Sequence, residues 1–297
     1  MFEGICDGSA AVRLGEKQLL VAYDERNSFY LFDIDGGRYQ QEIPFHEMLQ
    51  LDGRAEADIE GAAISGDSIW WIGSHGLDGS AEHAPNRHVL FQTGSVISSE
   101  GQLAITRSPA DILPLLLSDN SIRSILTDEV LQRPPKKGGF NIEGLAADAD
   151  GNLLVALRSP LSSDSALVIR LRNTAAGLVP AGHYLLDLGG RGIRDIISVA
   201  DGYLLIAGNT GGGGHFALFH WAPGSVAREV AEIPAGINAE ALIEFADHWL
   251  VLSDDGKVTR PDSDANDGDR GCDRIYKKNP LGGGHKNVFF RAVKIPR

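Results

Sequence analysis

The chain has little cysteine, little basic charge relative to its acidic charge, and no long apolar run. Only two cysteines, Cys6 and Cys272, occur in 297 residues, too few for a disulfide framework or a structural zinc site. They lie near opposite ends of the chain, where a ring-shaped fold could bring them close, but two reduced thiols is the simpler expectation. Lys and Arg number 27 against 40 Asp and Glu, a net charge of −13. Without a basic stripe to displace counterions, nucleic acid is an unfavourable partner, and so is an anionic membrane surface. No apolar run reaches the roughly 18 residues that a spanning helix needs. The N-terminus, MFEGICDGSAAV, has no basic region leading into an apolar one, so the expected location is cytoplasmic. A GxxxxGK[ST] phosphate loop, a GxSxG elbow and an HExxH helix are all missing, which leaves no nucleotide cofactor to expect.

What the chain does have is glycine, 36 residues of it, as a fold with many tight turns requires. It also has a repeat. Residues 141–160 read NIEGLAADADGNLLVALRSP, an acidic knuckle, a strand, an Asp150-Gly151 turn and a second strand. The pattern recurs at 58–75 with Glu60 in the place of Glu143, at 238–255 with Glu240, and at 192–209 with Arg194. A weaker copy at 6–24 puts Asp7 in register. Steps between these five residues are 53, 83, 51 and 46, the period of a β-propeller blade of several short strands. Further strand-like runs at 27–34, 87–94, 165–173 and 215–223 fill out the blades.

The expected architecture is therefore all-β, a single β-propeller domain over 1–297 with five blades, or six as the alternative. The long step holds a helical insertion at 108–132, where leucine and isoleucine recur at helical spacing. Ser108 and Asp111 are its expected cap, with Pro109 in the first turn. A degenerate sixth blade in the same gap is the alternative. The insertion either lids the channel or packs on the propeller's side. The last strand, within 287–296, is expected to help close the ring with the N-terminal segment.

First strands of propeller blades lie nearest the axis, so Asp7, Glu60, Glu143, Arg194 and Glu240 should ring one channel mouth. Residues two apart on a strand share a face, which adds Asn141 beside Glu143 and Asn238 beside Glu240. Four carboxylates against one guanidinium need neutralisation. A divalent metal, most plausibly calcium, suits such oxygens. Arginines are the second solution, with Arg158 and Arg191 near Arg194. Capping of neighbouring backbone amides, a structural role, is the third and is favoured. At the second-strand ends, among Ser74, Asn209 and Asp254, stands His75, the one residue there able to titrate near neutrality. The glycine-rich stretches at 208–215 and 281–286 read as flexible hairpin tips. The acidic stretch 262–273 resembles a calcium loop, but its glycine, Gly268, comes one residue late, and a solvated loop is favoured.

The segments DIEGAA, NIEGLA followed by LRSPL, LGGRGIR, and LSDDG, in this order, resemble a bacterial domain-of-unknown-function family. That family is similar to phytase-like ("esterase-like activity of phytase") propeller domains. The resemblance spans about residue 5 to 290. It implies a propeller with calcium held by Glu60, Glu143 and Glu240, joined by Asp7 in the same ring, and an anionic group held by Arg158, Arg191 and Arg194. The favoured reading is a propeller binding a small anionic ligand or a protein partner at the channel mouth, with His75 on its rim. The alternative is a metal-dependent hydrolase of a small anionic phosphoester, ester or lactone.

Overall fold

The computed structural model describes residues 1–23, 26–46, 48–51, 55–261, 269–273, 275 and 288–297. The acidic stretch 262–268 and the glycine stretch 281–286 lie outside the described residues. Antiparallel strands dominate, and each repeat of the sequence is one sheet of a β-propeller.

Repeat one comprises Ala10–Leu14, Gln18–Tyr23, Ser28–Asp33 and Gln41–Pro44. Repeat two runs Ile59–Ser65, Ser68–Gly73, Leu90–Ile97, Leu103–Ala110. Repeat three is Asn141–Ala147, Leu153–Ser159, Ala166–Thr174, Gly177–Leu186. Repeat four is Gly192–Val199, Gly202–Gly208, Ala217–Trp221, Arg228–Glu232. Repeat five pairs Ala239–Glu244 with His248–Ser253 and takes its third strand, Ala292–Pro296, from the chain's end. The first strands of the five repeats touch in sequence and close on themselves, so these strands surround the axis.

Six sheets of three or more strands build the propeller, which corrects the favoured count of five blades. The sixth does not lie in the 108–132 gap. It is a small sheet in which Phe2–Glu3 pairs with both Phe289–Phe290 and Gly37–Arg38. Phe2 and Phe290 pack with Val21, Tyr30, Leu250 and Leu252, filling the wedge between the first and last repeats. Five knuckles were legible because only five sheets send a strand to the axis. The C-terminal strands thus help close the ring, as expected.

The cysteines are a correction too. Cys6 and Cys272 form a disulfide, 266 residues apart in sequence, with Cα atoms 5.7 Å apart. It ties the N-terminal segment to the segment after repeat five.

Small residues at the axis have a packing cause. A Cβ on Gly61 would lie 2.8 Å from the amide nitrogen of Leu145, and one on Gly144 would lie 3.1 Å from that of Ile196. Neighbouring inner strands therefore approach as closely as glycine permits. The second strands are buried on both sides by adjacent blades, and all seven residues of Leu153–Ser159 are buried. The Asp150-Gly151 turn is longer than two residues. The Asp148 carboxylate accepts the amides of Asp150 (3.0 Å) and Asn152 (2.9 Å), and Gly151 takes φ +77°.

The insertion is helical but broken into three single turns, Leu113–Leu116, Asn120–Arg123 and Asp128–Leu131. Ser108 and Pro109 belong to the preceding strand instead of capping a helix. Asp119 and Thr127 cap helical amides with their side chains, and Asp111, from the expected cap, accepts the Leu113 amide at 2.8 Å. Ile112, Leu116, Ile122 and Leu126 are buried against Trp70, Phe140 and Leu167 of repeats two and three. The insertion packs on the propeller's side. Among the described residues no helix is long and apolar enough to cross a membrane.

Candidate functional site

The ring residues share one backbone feature. Strand register slips between Ile59 and Gly61, Ile142 and Gly144, Ile193 and Asp195, and Ala239 and Ala241. Glu60, Glu143, Arg194 and Glu240 are thus each the extra residue of a β-bulge, which re-aims a side chain out of the regular pleat. Four bulges at equivalent places turn four charged side chains into one channel mouth, where all four line a cavity of about 540 Å³.

Arg194 is its hub. Its Nε lies 2.8 Å from Oε2 of Glu143 and 3.1 Å from Oε2 of Glu240, and its Nη2 donates to Oε1 of Glu240. Arg158 donates from Nη1 to Oε1 of Glu143 at 2.5 Å. The asparagines two residues earlier each serve their glutamate, Asn141 to Glu143 at 2.8 Å and Asn238 to Glu240 at 3.2 Å. Burial works against the Arg194 charge, but Glu143, Glu240 and Glu60 outweigh it and raise its pKa. Burial pushes Glu240 up, Arg194 opposing and Glu143 adding to the shift. Three carboxylates facing two guanidiniums leave one negative charge over, and a proton held on Glu240 would remove it.

A second set of cations rims this floor. Lys136, from the turn Pro135–Lys137 after the insertion, and Lys257, beyond repeat five, line the same cavity. Lys257 lies close enough that its ammonium, followed by partial burial, lowers the pKa of Lys136. Gly211, Gly212 and Gly213 form a wall, and Arg158 Nε donates to the Thr210 carbonyl at 2.8 Å. A Cβ on Gly212 would stand 3.4 Å from Nη2 of Arg158. The glycine-rich stretch at 208–215 is therefore part of the mouth as well as a hairpin tip.

Of the expected site residues, Glu60, Glu143, Glu240, Arg158 and Arg194 converge. Asp7 flanks them in a smaller cavity of about 180 Å³ shared with Glu60, Glu240 and Lys257. Arg191 does not join them; it pairs with Glu229 at 3.2 Å and lies over the Phe219 ring. His75 does not either. Its ring is buried, with Nδ1 donating to the Gly73 carbonyl (2.9 Å) and Nε2 accepting the Ile112 amide (3.3 Å). Burial lowers its pKa to about 4, so it is a neutral joint between repeat two and the insertion. Lys136 and Lys257 carried no sequence signal, since neither falls in the repeat.

Of the carboxylates expected to hold a metal, Glu143 and Glu240 face guanidinium groups, and Asp7 accepts the Ser9 hydroxyl at 3.3 Å. Among the described residues no group of three or more His, Cys, Asp or Glu side chains is arranged to hold a metal ion. Glu143 and Glu240, already paired with arginine, do not offer a calcium ion free oxygens.

A family model described as a protein of unknown function, DUF3616, matches residues 7–90 and 87–247. The chain belongs to the DUF3616 family. A search of curated proteins found no match. Among solved structures, the chain is similar to one from Thermus thermophilus described as an oxidoreductase (glucose dehydrogenase). Identity there is 12%, over 86% of this chain and 93% of that one, with a TM-score of 0.46. A PQQ-bound aldose sugar dehydrogenase from Streptomyces coelicolor shares 12% identity over 90% and 94%, with a TM-score of 0.45. Virginiamycin B lyase from Staphylococcus aureus shares 11% over 98% and 85%, with a TM-score of 0.42. Another similar structure, Sqt1 from Saccharomyces cerevisiae, is spanned over 52% of its length. None of these likenesses bears on the activity of this DUF3616 chain.

Proposed function

We propose that this DUF3616 propeller binds a small anionic ligand at the charged channel mouth. One observation carries the reading: Lys136, Arg158, Arg194 and Lys257 meet at a single cavity of about 540 Å³. Arg158 and Arg194 are buried, and among the described residues Nη1 of Arg194 has no hydrogen-bond partner. A buried guanidinium with an unused donor, in one cavity with two neighbouring ammoniums, favours an anion that accepts from both. The acidic ring then has a structural part, holding the guanidiniums in place from below. The Cys6–Cys272 disulfide supports work in an oxidising compartment over the cytoplasmic location expected from sequence.

A thermal melt across a panel of small anions tests this. Inorganic phosphate or citrate in excess should raise the midpoint by mass action. The rise should vanish in the Lys136→Ala/Lys257→Ala double variant. A midpoint indifferent to every anion, or a rise kept by the double variant, would reject the site. Hydrolysis of an anionic ester is the second reading. Its support is the cavity-lining Glu240, whose raised pKa suits a group exchanging protons near neutrality. Glu240→Gln should then abolish turnover while the protein stays folded. The calcium implied by the phytase-like resemblance draws no support from carboxylates already paired with arginine.

A further inference from the structure

The cations at the mouth stand between two compartments. Beside the cavity floored by Arg194 lies a second, of about 570 Å³, and Glu60, Lys136, Arg158 and Lys257 line both. The first lobe adds Asn238, Glu240 and Asp254 to its wall. The second adds Glu56, Asp58, Asp78 and Asn141, with Lys137 and with Arg87, which pairs with Asp58 and Glu56. Asp58 and Asp78 in the second lobe and Asp254 in the first already accept protein donors, and the lone pairs their carboxylates keep can accept from a hydroxyl-bearing group. An anion at the end of a molecule would use one lobe and leave the other to solvent. An anion within a chain would place an arm in each.

Resting on the anion-binding reading above, we infer that the ligand carries its anionic group internally, flanked on both sides by hydroxylated arms. Two sources share that chemistry, an acidic oligosaccharide and a polyol phosphodiester. The apposition of Lys136 and Lys257 agrees, because an anion lodged between two ammoniums relieves their repulsion.

Two glycines allow each lobe to be filled separately. A Cβ on Gly79, in the second lobe, meets nothing within 4 Å. One on Gly211, in the first, comes no nearer than 3.9 Å to the Lys136 carbonyl oxygen. Neither glycine has a left-handed φ, so Gly79→Trp and Gly211→Trp should fill their lobes without backbone strain. The full chain would be titrated with four probes: galacturonate, trigalacturonate, inorganic phosphate and the phosphodiester of two glycerols.

One extended probe should bind at least about tenfold tighter than its small counterpart, and which one does so identifies the source. Gly79→Trp should remove that gain while leaving phosphate affinity within about twofold, which also shows that the variant is folded, whereas Gly211→Trp, in the wall of the anion cavity itself, should remove the gain and weaken phosphate as well. Extended probes that bind no tighter than galacturonate and phosphate would overturn the inference. So would a gain that survives either tryptophan. Phosphate that fails to bind the unaltered protein would instead overturn the anion-binding reading itself.

Discussion

Replacing Arg194 by methionine keeps the apolar stem and removes the guanidinium. The side chain is buried, and its charge faces Glu143 at 2.8 Å and Glu240 at 3.1 Å. Removing one partner of a buried ion pair costs about 3–5 kcal/mol, because the remaining charge is left without compensation. Two carboxylates lose their shared partner here, so the loss should lie in the upper part of that range at pH 8. It would consume much of the roughly 5–15 kcal/mol that holds a domain folded. The loss must also depend on pH. Unpaired buried carboxylates have raised pKa values, so the folded variant binds protons that its unfolded chain releases, and it gains on the parent as pH falls from 8 to 5.

Adding Glu240→Gln to Arg194→Met should recover part of the loss, a coupling expected of residues in direct contact. Urea unfolding of the parent, the single and the double variant at pH 5 and pH 8 measures all of this. A single variant within about 1 kcal/mol of the parent at pH 8 would refute the claim that Arg194 neutralises the ring, since surface ion pairs cost no more than that. So would a loss identical at both pH values.

Acid should destabilise the protein through His75. With its pKa lowered to about 4, the folded state binds fewer protons than the unfolded chain between pH 6.5 and 4. Stability should therefore fall by up to roughly 3 kcal/mol across that window; His75→Gln should flatten the slope in urea titrations, and an unchanged slope would count against the assignment. Base acts in the opposite sense on Asp195. It accepts the amides of Ile196 and Leu242, both at 2.7 Å, and burial, against those bonds, pushes its pKa to about 8. Its contribution is present at low pH and lost as pH rises from about 4 to about 8, a slope that Asp195→Asn should remove. Thiol titration of the unfolded, unreduced chain should find no free cysteine. Reduction should lower stability by at most about 5.6 kcal/mol, the chain-entropy limit for a loop of 266 residues, and two titratable thiols would contradict the ring closure. Chelation, with or without added calcium, should move the melt by less than about a degree; several degrees regained with calcium, and lost again in Glu143→Gln, would contradict the arginine-neutralised ring.

The repeat was readable because propeller geometry reuses one local solution. Each knuckle needs a small residue where inner strands meet and a charged residue on the bulge before it. Glu60-Gly61, Glu143-Gly144 and Glu240-Ala241 print that requirement directly. Even the exception, Arg194-Asp195, has a physical account: Arg194 is the counter-ion of its neighbours, and Asp195 accepts the Leu242 amide of the next blade. The sixth sheet was not legible because it joins Phe2, Gly37 and Phe289 by two-residue pairings, too short for any period. Lys136 and Lys257 escaped notice for a different reason. They reach the mouth from connecting segments, so only three-dimensional closure brings them beside Arg158. His75 misled because a strand-end histidine reads as exposed, whereas the insertion folds back to cover it.

The central claim is that Lys136 and Lys257, with the unused Nη1 of Arg194, hold an anion at the channel mouth. An anomalous-difference map from a crystal soaked in selenate tests it most directly, since it shows where an anion sits without reference to activity. The account predicts a peak at the channel mouth, within hydrogen-bond reach of Arg158 or Nη1 of Arg194 and beside Lys136 and Lys257. A map with selenate bound only elsewhere on the protein, the mouth being open to solvent in that crystal, would contradict it.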